Sequence, residues 1–285
     1  MQIFQFRMFQ NVASDQVLSV GDPQPFLQQQ DVNPSDVRQH WLFSNNLLLS
    51  RTFSYAIDVV GGVFASGQAL QHYPPHSNAN QLWNIENWAG DPTHKIISCQ
   101  TQPNFVVDIP WGLPGKSPQL YQRNEGPNQR WRVIRVVVGA FKISSMASAG
   151  VIDVPNGSQH DGTIVQQFHD AGMVCFNQFW RFLSPGSVEV QAFHSGDSVR
   201  ISSVCNGLFL QPSGGSGAQS FVKQTIASGD NSQLWNLASQ GSAFAIHPSQ
   251  SLDLSLDLPF GSTDDHVQIQ VFPNNGGANQ QWTFE

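Results

Sequence analysis

Charge is scarce in this chain. Asp, Glu, Lys and Arg make up 12% of its 285 residues, the 13 Lys and Arg form no run, and the net charge is −7. No basic stripe is available to follow a phosphate backbone or an anionic bilayer, so nucleic acid and charged membranes drop out and a neutral partner is indicated. Cysteine is scarcer still. Cys99, Cys175 and Cys205 are odd in number and widely spaced, which fits neither a disulfide framework nor a zinc site. Buried free thiols are predicted, with Cys175 inside the apolar segment Met173-Val174-Cys175-Phe176. Long hydrophobic runs are missing as well: nothing approaches the roughly 20 apolar residues of a membrane span, and residues 1–16 hold no apolar stretch of signal-peptide length. A cytoplasmic protein, or one released without a signal peptide, is the expectation.

The usual catalytic combinations are also wanting. There is no Gly-rich phosphate loop, and the carboxylates occur about one per repeat rather than as a close pair across a substrate. His72 and His76 stand four apart as in a helical metal site, but Pro74 and Pro75 between them forbid the helix. The pattern predicts no enzyme, no metal and no cofactor.

Polarity comes instead from Gln, Asn and Ser, punctuated by 24 Gly and 17 Pro, a composition suited to many short strands joined by turns. The chain reads as all-β. Gln-x-Trp recurs at Gln39/Trp41, Gln81/Trp83, Gln129/Trp131, Gln178/Trp180, Gln233/Trp235 and Gln280/Trp282. Successive tryptophans lie 42, 48, 49, 55 and 47 residues apart, a period in which each repeat is one supersecondary unit. Short β-branched runs ended by Gly or Pro, such as 55–62, 104–110 and 150–157, give about four strands per unit. A unit this small cannot bury its apolar face alone, so the six tryptophans are predicted core residues. The units close either as two groups of three or as one six-bladed ring.

Gln-x-Trp preceded by Asn, with an Asp earlier in a Leu/Ile/Val-Asp-Val strand, resembles the ricin B-type lectins over essentially the whole chain. The resemblance implies two tandem β-trefoils of three Gln-x-Trp repeats each, here 1–137 and 138–285. It also implies a binding set: an Asp that accepts bonds from two sugar hydroxyls, a ring that stacks on the sugar, an Asn, and helping glutamines. A carboxylate is a strong acceptor and a ring covers poorly hydrated C–H surface, so the set suits a galactose-type sugar. Matched position by position, the second unit carries Asp58, Gln71, Tyr73, Asn80 and Gln81, and the third Asp108, Gln119, Tyr121, Asn128 and Gln129, with an extra Trp111. The fourth offers Asp153, Gln166, Phe168, Asn177 and Gln178. The sixth has Asp257, Gln270, Phe272, Asn279 and Gln280, with Asp253 a rival carboxylate and His266 expected near the same pocket. The third unit looks slightly altered, because Asp and ring are 13 residues apart instead of 15. The first and fifth units fail: Ser19 and Arg38 replace Asp and Asn in one, and Leu210 or Gln211 and Ser232 replace them in the other.

The resemblance therefore implies a non-enzymatic, multivalent and agglutinating lectin for galactose- or N-acetylgalactosamine-containing glycans. The alternative is a glycan-binding receptor or carrier subunit of a larger toxin or haemagglutinin complex. A homodimer is compatible with either.

Overall fold

The computed structural model describes residues 1–21, 25–214 and 219–285. Among them the regular elements are strands and single 3₁₀ turns, with no α-helix. The chain separates into two compact units, Phe4–Val138 and Gly139–Glu285, the second joined by Met1–Ile3. Each unit is a β-trefoil built from three four-stranded repeats.

In the first unit the repeats are Gln2–Asn11 to Trp41–Ser44, Leu47–Ser50 to Trp83–Trp88, and Asp91–Cys99 to Trp131–Ala140. The first and fourth strands of each repeat form a barrel, in which Gln2–Asn11 pairs with both Trp41–Ser44 and Trp131–Ala140. The middle two strands form a hairpin, and the three hairpins meet through Phe26↔Gln71 and Ala69↔Gln119. The second unit repeats the plan from Ile143–Ser145 to Trp282–Phe284, with the last strand paired to the first through Ser144↔Thr283. The strand Trp282–Phe284 thus completes the barrel.

All six Gln-x-Trp tryptophans are at most 1% exposed. In the first unit Trp41, Trp83 and Trp131 pack with Leu18, Ile57, Val107 and their neighbours into one core. Each buried indole N–H must still find an acceptor. In all six repeats it donates to the same carbonyl of the hairpin's first strand: Leu18, Ile57, Val107, Ile152, Leu210 and Leu256, at 2.9–3.4 Å.

The Gln of each motif does a second structural job. Its Oε1 accepts from a turn amide, that of Asn33, His76, Asn124, Ala171, Ser228 or Asn275. Its Nε2 donates to a carbonyl, that of Asp31, Pro74, Gln122, His169, Ile226 or Pro273. Both amide ends are used to hold the loop before the tryptophan strand, in the units that carry the Asp–ring–Asn set and in the two that lack it alike.

One expectation changes. Cys99 and Cys205 are buried, but Cys175 is only half-buried, and Met173 and Val174 beside it are exposed. The segment is a turn over the surface, so its apolar letters do not make a core strand.

Replacing Trp83 by Ala empties a large dry site and removes one of these bonds. Its unit should lose about 3–5 kcal/mol, read from the urea midpoint. Trp83→Phe, which keeps most of the apolar volume, should lose less.

Candidate functional site

The same Trp bond fixes where the Asp position lies. The acceptor carbonyl in each repeat belongs to the residue just before Ser19, Asp58, Asp108, Asp153, Gln211 or Asp257. The fifth-unit ambiguity resolves to Gln211, which faces Lys223 across the hairpin.

Strand register assembles the rest. Asp58, Asp108, Asp153 and Asp257 pair directly with Gln71, Gln119, Gln166 and Gln270. Two residues further along, hence on the same face, stand Tyr73, Tyr121, Phe168 and Phe272. The 13-residue gap of the third unit leaves this register intact, because the two missing residues come out of the hairpin loop. That unit is not an altered copy where it matters.

The Asn enters from a 3₁₀ turn whose last residue is the motif Gln: Ala79–Gln81, Pro127–Gln129, Phe176–Gln178 and Ala278–Gln280. One Nδ2 hydrogen of Asn80, Asn128, Asn177 and Asn279 goes to the Asp Oδ2 at 2.6–2.7 Å. The other goes to the carbonyl after that Asp, at 3.1–3.3 Å. Gln71, Gln119, Gln166 and Gln270 donate to Asp Oδ1 at 2.8–2.9 Å. In the first and fifth units the turn is held instead by Asp36 and Asp230, which accept from the backbone of Arg38 and Ser232.

A carboxylate has about four acceptor positions. Each of these Asp residues therefore keeps an open position on Oδ1, and the Asn offers its unengaged Oδ1 beside it. The cross-strand Gln adds a donor and an acceptor. Two adjacent hydroxyl groups, each needing an acceptor for its proton, match this array. Gln81, Gln129, Gln178 and Gln280, expected to touch the ligand, are at most 1% exposed. Both ends of their amides bond the loop backbone, and Gln129 and Gln280 also donate to Asp108 and Asp257 Oδ2 at 3.0 Å.

Burial of the carboxylates has an electrostatic cost, paid in proton affinity. Burial raises the pKa of Asp108 and Asp257 above the ordinary carboxylate value, and raises that of Asp153 to about 6. The glutamine bonds oppose the rise in each case.

The stacking surfaces differ between units. Tyr73 and Tyr121 are exposed, whereas Phe168 and Phe272 are half-buried. Phe168 has His169 at 4.3 Å and His266 at 5.0 Å between ring centres. His266 thus belongs to the fourth-unit site, through the hairpin contact between repeats, and not to the sixth as its position in sequence suggested. Asp253 is exposed and off the paired register, so it is no rival to Asp257. His76, folded back by the two prolines, puts Nε2 3.3 Å from Asp58 Oδ2.

Two further residues flank the clefts: Trp111, noted in the sequence only as an extra ring, and Phe260, which sequence reasoning missed. After each of the four Asp residues the chain makes a tight turn, Val60–Gly62, Pro110–Gly112, Pro155–Gly157 or Pro259–Gly261. Its second and third residues both have positive φ. The third is glycine throughout: a Cβ at Gly112 would lie 3.4 Å from that of Asn128 and 2.6 Å from that of Ala13. The second is Gly61, Trp111, Asn156 or Phe260. Trp111 (φ 55°) and Phe260 (φ 57°) hold their rings 82% and 103% exposed. Trp111 lines a cleft of about 270 Å³ with Asp108, Tyr121 and Asn128. Phe260 lines one of about 570 Å³ with Asp257, Phe272 and Asn279, and Phe221 of the fifth unit joins it. An apolar ring, strained and fully wetted, is costly unless something uses it. The signal was present in Asp-x-Pro-aromatic-Gly, but only the turn geometry gave it meaning.

The family described as ricin-type beta-trefoil lectin domain-like matches residues 79–168 and 176–272, more than half of the chain. The chain belongs to that family. As a ricin-type lectin-domain protein it belongs among proteins that bind carbohydrate. It is similar to several solved structures. One is the designed three-fold symmetric protein ThreeFoil, with 26% identity, 52% of this chain and 98% of that one covered, and TM-score 0.45. Another is the agglutinin of Rhizoctonia solani, with 20%, 53%, 96% and 0.43 respectively. A third is the ricin B-like lectin of Macrolepiota procera in complex with lactose, with 19%, 52%, 94% and 0.39. No curated protein sequence matches it.

The raised Asp153 pKa of this ricin-type lectin-domain chain gives a signed expectation. Between the ordinary carboxylate value near 4 and about 6, the folded chain holds a proton that the unfolded chain has released. This group's contribution to stability therefore falls as pH rises through that window. Asp153→Asn should flatten the pH–stability profile between those limits. A carboxyl ¹³C titration of the fourth-unit Asp should show a midpoint near 6.

Proposed function

We propose that the chain is a non-enzymatic, multivalent lectin for galactose- or N-acetylgalactosamine-type glycans, and that Asp58, Asp108, Asp153 and Asp257 are the primary acceptors of its four sites. The observation that carries this reading is the fourfold recurrence of one hydrogen-bonded Asp–Gln–Asn array beside an accessible ring, while the Trp and Gln that hold the fold persist in all six repeats. An axial hydroxyl next to an equatorial one lets both protons reach the Asp and Asn oxygens, while the opposite C–H face of the sugar lies on the ring. The four Asp residues sit in separate repeats, each surrounded by amides, which suits binding better than paired acid–base chemistry.

Single open sites of this kind are weak, with Kd on the order of millimolar. Several on one chain raise avidity by about 10²–10⁴ on a dense glycan surface, which suits agglutination of cells. The alternative, a carrier subunit for a larger complex, draws support from Phe26 and Ile226, exposed on the two degenerate units. A partner protein co-purifying with the chain would favour it.

Calorimetric titration with galactose and N-acetylgalactosamine tests the main reading. Each Asp→Ala substitution should remove one site at a cost of about 1–3 kcal/mol from the amides it leaves unpaired, and the fourfold variant, its fold checked by circular dichroism, should abolish binding. Undiminished binding in that variant would overturn the assignment.

Trp111 and Phe260 give a second test. Trp111→Gly relieves a strained φ, so stability should hold or rise, yet the third site should weaken by about 1 kcal/mol or more if the ring contacts sugar. Of the eight tryptophans, Trp111 is the exposed one, Trp88 being half-buried with Arg130 3.6 Å above its ring. Galactoside should therefore shield Trp111 fluorescence from acrylamide quenching.

A further inference from the structure

The first unit has a second concave feature, made by the barrel strands and not by the hairpins. A cavity of about 510 Å³ opens among strands Gln2–Asn11, Trp41–Ser44, Trp83–Trp88, Asp91–Cys99 and Trp131–Ala140. Residues two apart on a strand share a face. Arg7 therefore comes with Gln5, Lys95 with Thr93, and Arg135 with Val133, and all six line the cavity. The remaining walls are Asn87 and apolar side chains, and no Asp or Glu is among the described lining residues.

This gathering of cations is out of keeping with the rest of the unit. Arg38, Arg123 and Arg132 each hold a carboxylate, at 2.8–3.1 Å. The side chains of Arg7 and Arg135 have neither hydrogen bond nor ion pair among the described residues, and the Arg7 guanidinium has only the Phe43 ring, 5.7 Å away. Lys95 Nζ is turned to Asn87 Oδ1 and the Pro92 carbonyl. The carboxylate of Asp91 is engaged by the Thr93 amide and hydroxyl. Burial, and then the neighbouring Arg135 charge, both push the Arg7 guanidinium below its ordinary pKa. Like charges are thus held together with no carboxylate between them among the described lining residues.

We propose that this cavity binds an oxyanion, a phosphate or sulfate group either free or as the ester of a small organic molecule. Two guanidinium forks present paired N–H donors that match such oxygens, Lys95 adds a third charge, and the side-chain amides of Gln5 and Asn87 supply neutral donors. The apolar walls, Phe43 and Val133 among them, suit the carbon body of an ester. Non-specific attraction does not account for such binding, since the chain as a whole carries a net charge of −7.

The test is calorimetry and thermal melting of the full chain with inorganic phosphate, inorganic sulfate and glycerol phosphate. Saturable one-to-one binding that weakens with salt, and a melting temperature that rises with the anion, are expected. Arg135→Gln should weaken binding by about tenfold or more, and Arg7→Gln combined with Arg135→Gln should abolish it with the galactose response unchanged. Tighter binding of glycerol phosphate assigns the site to esters, and equal binding assigns it to the free ion. Because Arg135 is exposed, the single variant keeps the test informative should the double variant fail to fold. No saturable binding up to tens of millimolar, or a response unaltered by Arg135→Gln, overturns the proposal. Neither result depends on what the hairpin clefts bind.

Discussion

One hydrogen bond organises this protein: the indole N–H of each Gln-x-Trp tryptophan to the carbonyl preceding the Asp position. It lies in the dry core, where an unpaired N–H would cost roughly 1–3 kcal/mol. It also sets the depth at which the hairpin sits on the barrel. The next residue along that strand points the opposite way, out of the core and into the cleft. Core and cleft are thus two faces of one strand, one residue apart. The bond survives in the first and fifth units because the fold needs it there, although Ser19 and Gln211 follow it instead of Asp.

The clefts embody a compromise between burial and charge. Each Asp is at most 3% exposed, and desolvation disfavours its charged form. Side-chain amides on both sides offset that cost and fix the orientation of the oxygens. The Asn spends both its amide hydrogens inside the protein, so what it presents to a ligand is a carbonyl oxygen. The fourth unit, where Asp153 is most strongly shifted and Phe168 lies between two imidazoles, departs furthest from the others.

Much of this was legible in the sequence because repetition multiplies weak signals. One Gln-x-Trp means little, but six at 42–55 residue intervals identify the repeat, and the Asp, ring and Asn around four of them separate variable positions from structural ones. The second role of the motif glutamines was not legible, because a Gln adjoining the Asn looks the same in sequence whether its amide faces the cleft or, as here, bonds the loop backbone. His266 was misplaced for a related reason: it follows the sixth-unit Asp in sequence but crosses between hairpins to Phe168 and Gln166. Cys175 looked buried because apolar neighbours in a turn resemble apolar neighbours in a strand.

The sequence by itself determined the all-β class, the sixfold repeat and the tryptophan cores, since each rests on composition or on spacing along the chain, and its resemblance to the ricin B-type lectins picked out the four Asp–ring–Asn sets. The tertiary structure decided which polar atoms remain free, that Trp111 and Phe260 stand beside the clefts, and that Arg7, Lys95 and Arg135 share one cavity. These depend on turn dihedrals and on pairing between strands distant in sequence, where two residues meet because a barrel closes and not because of the number of residues between them.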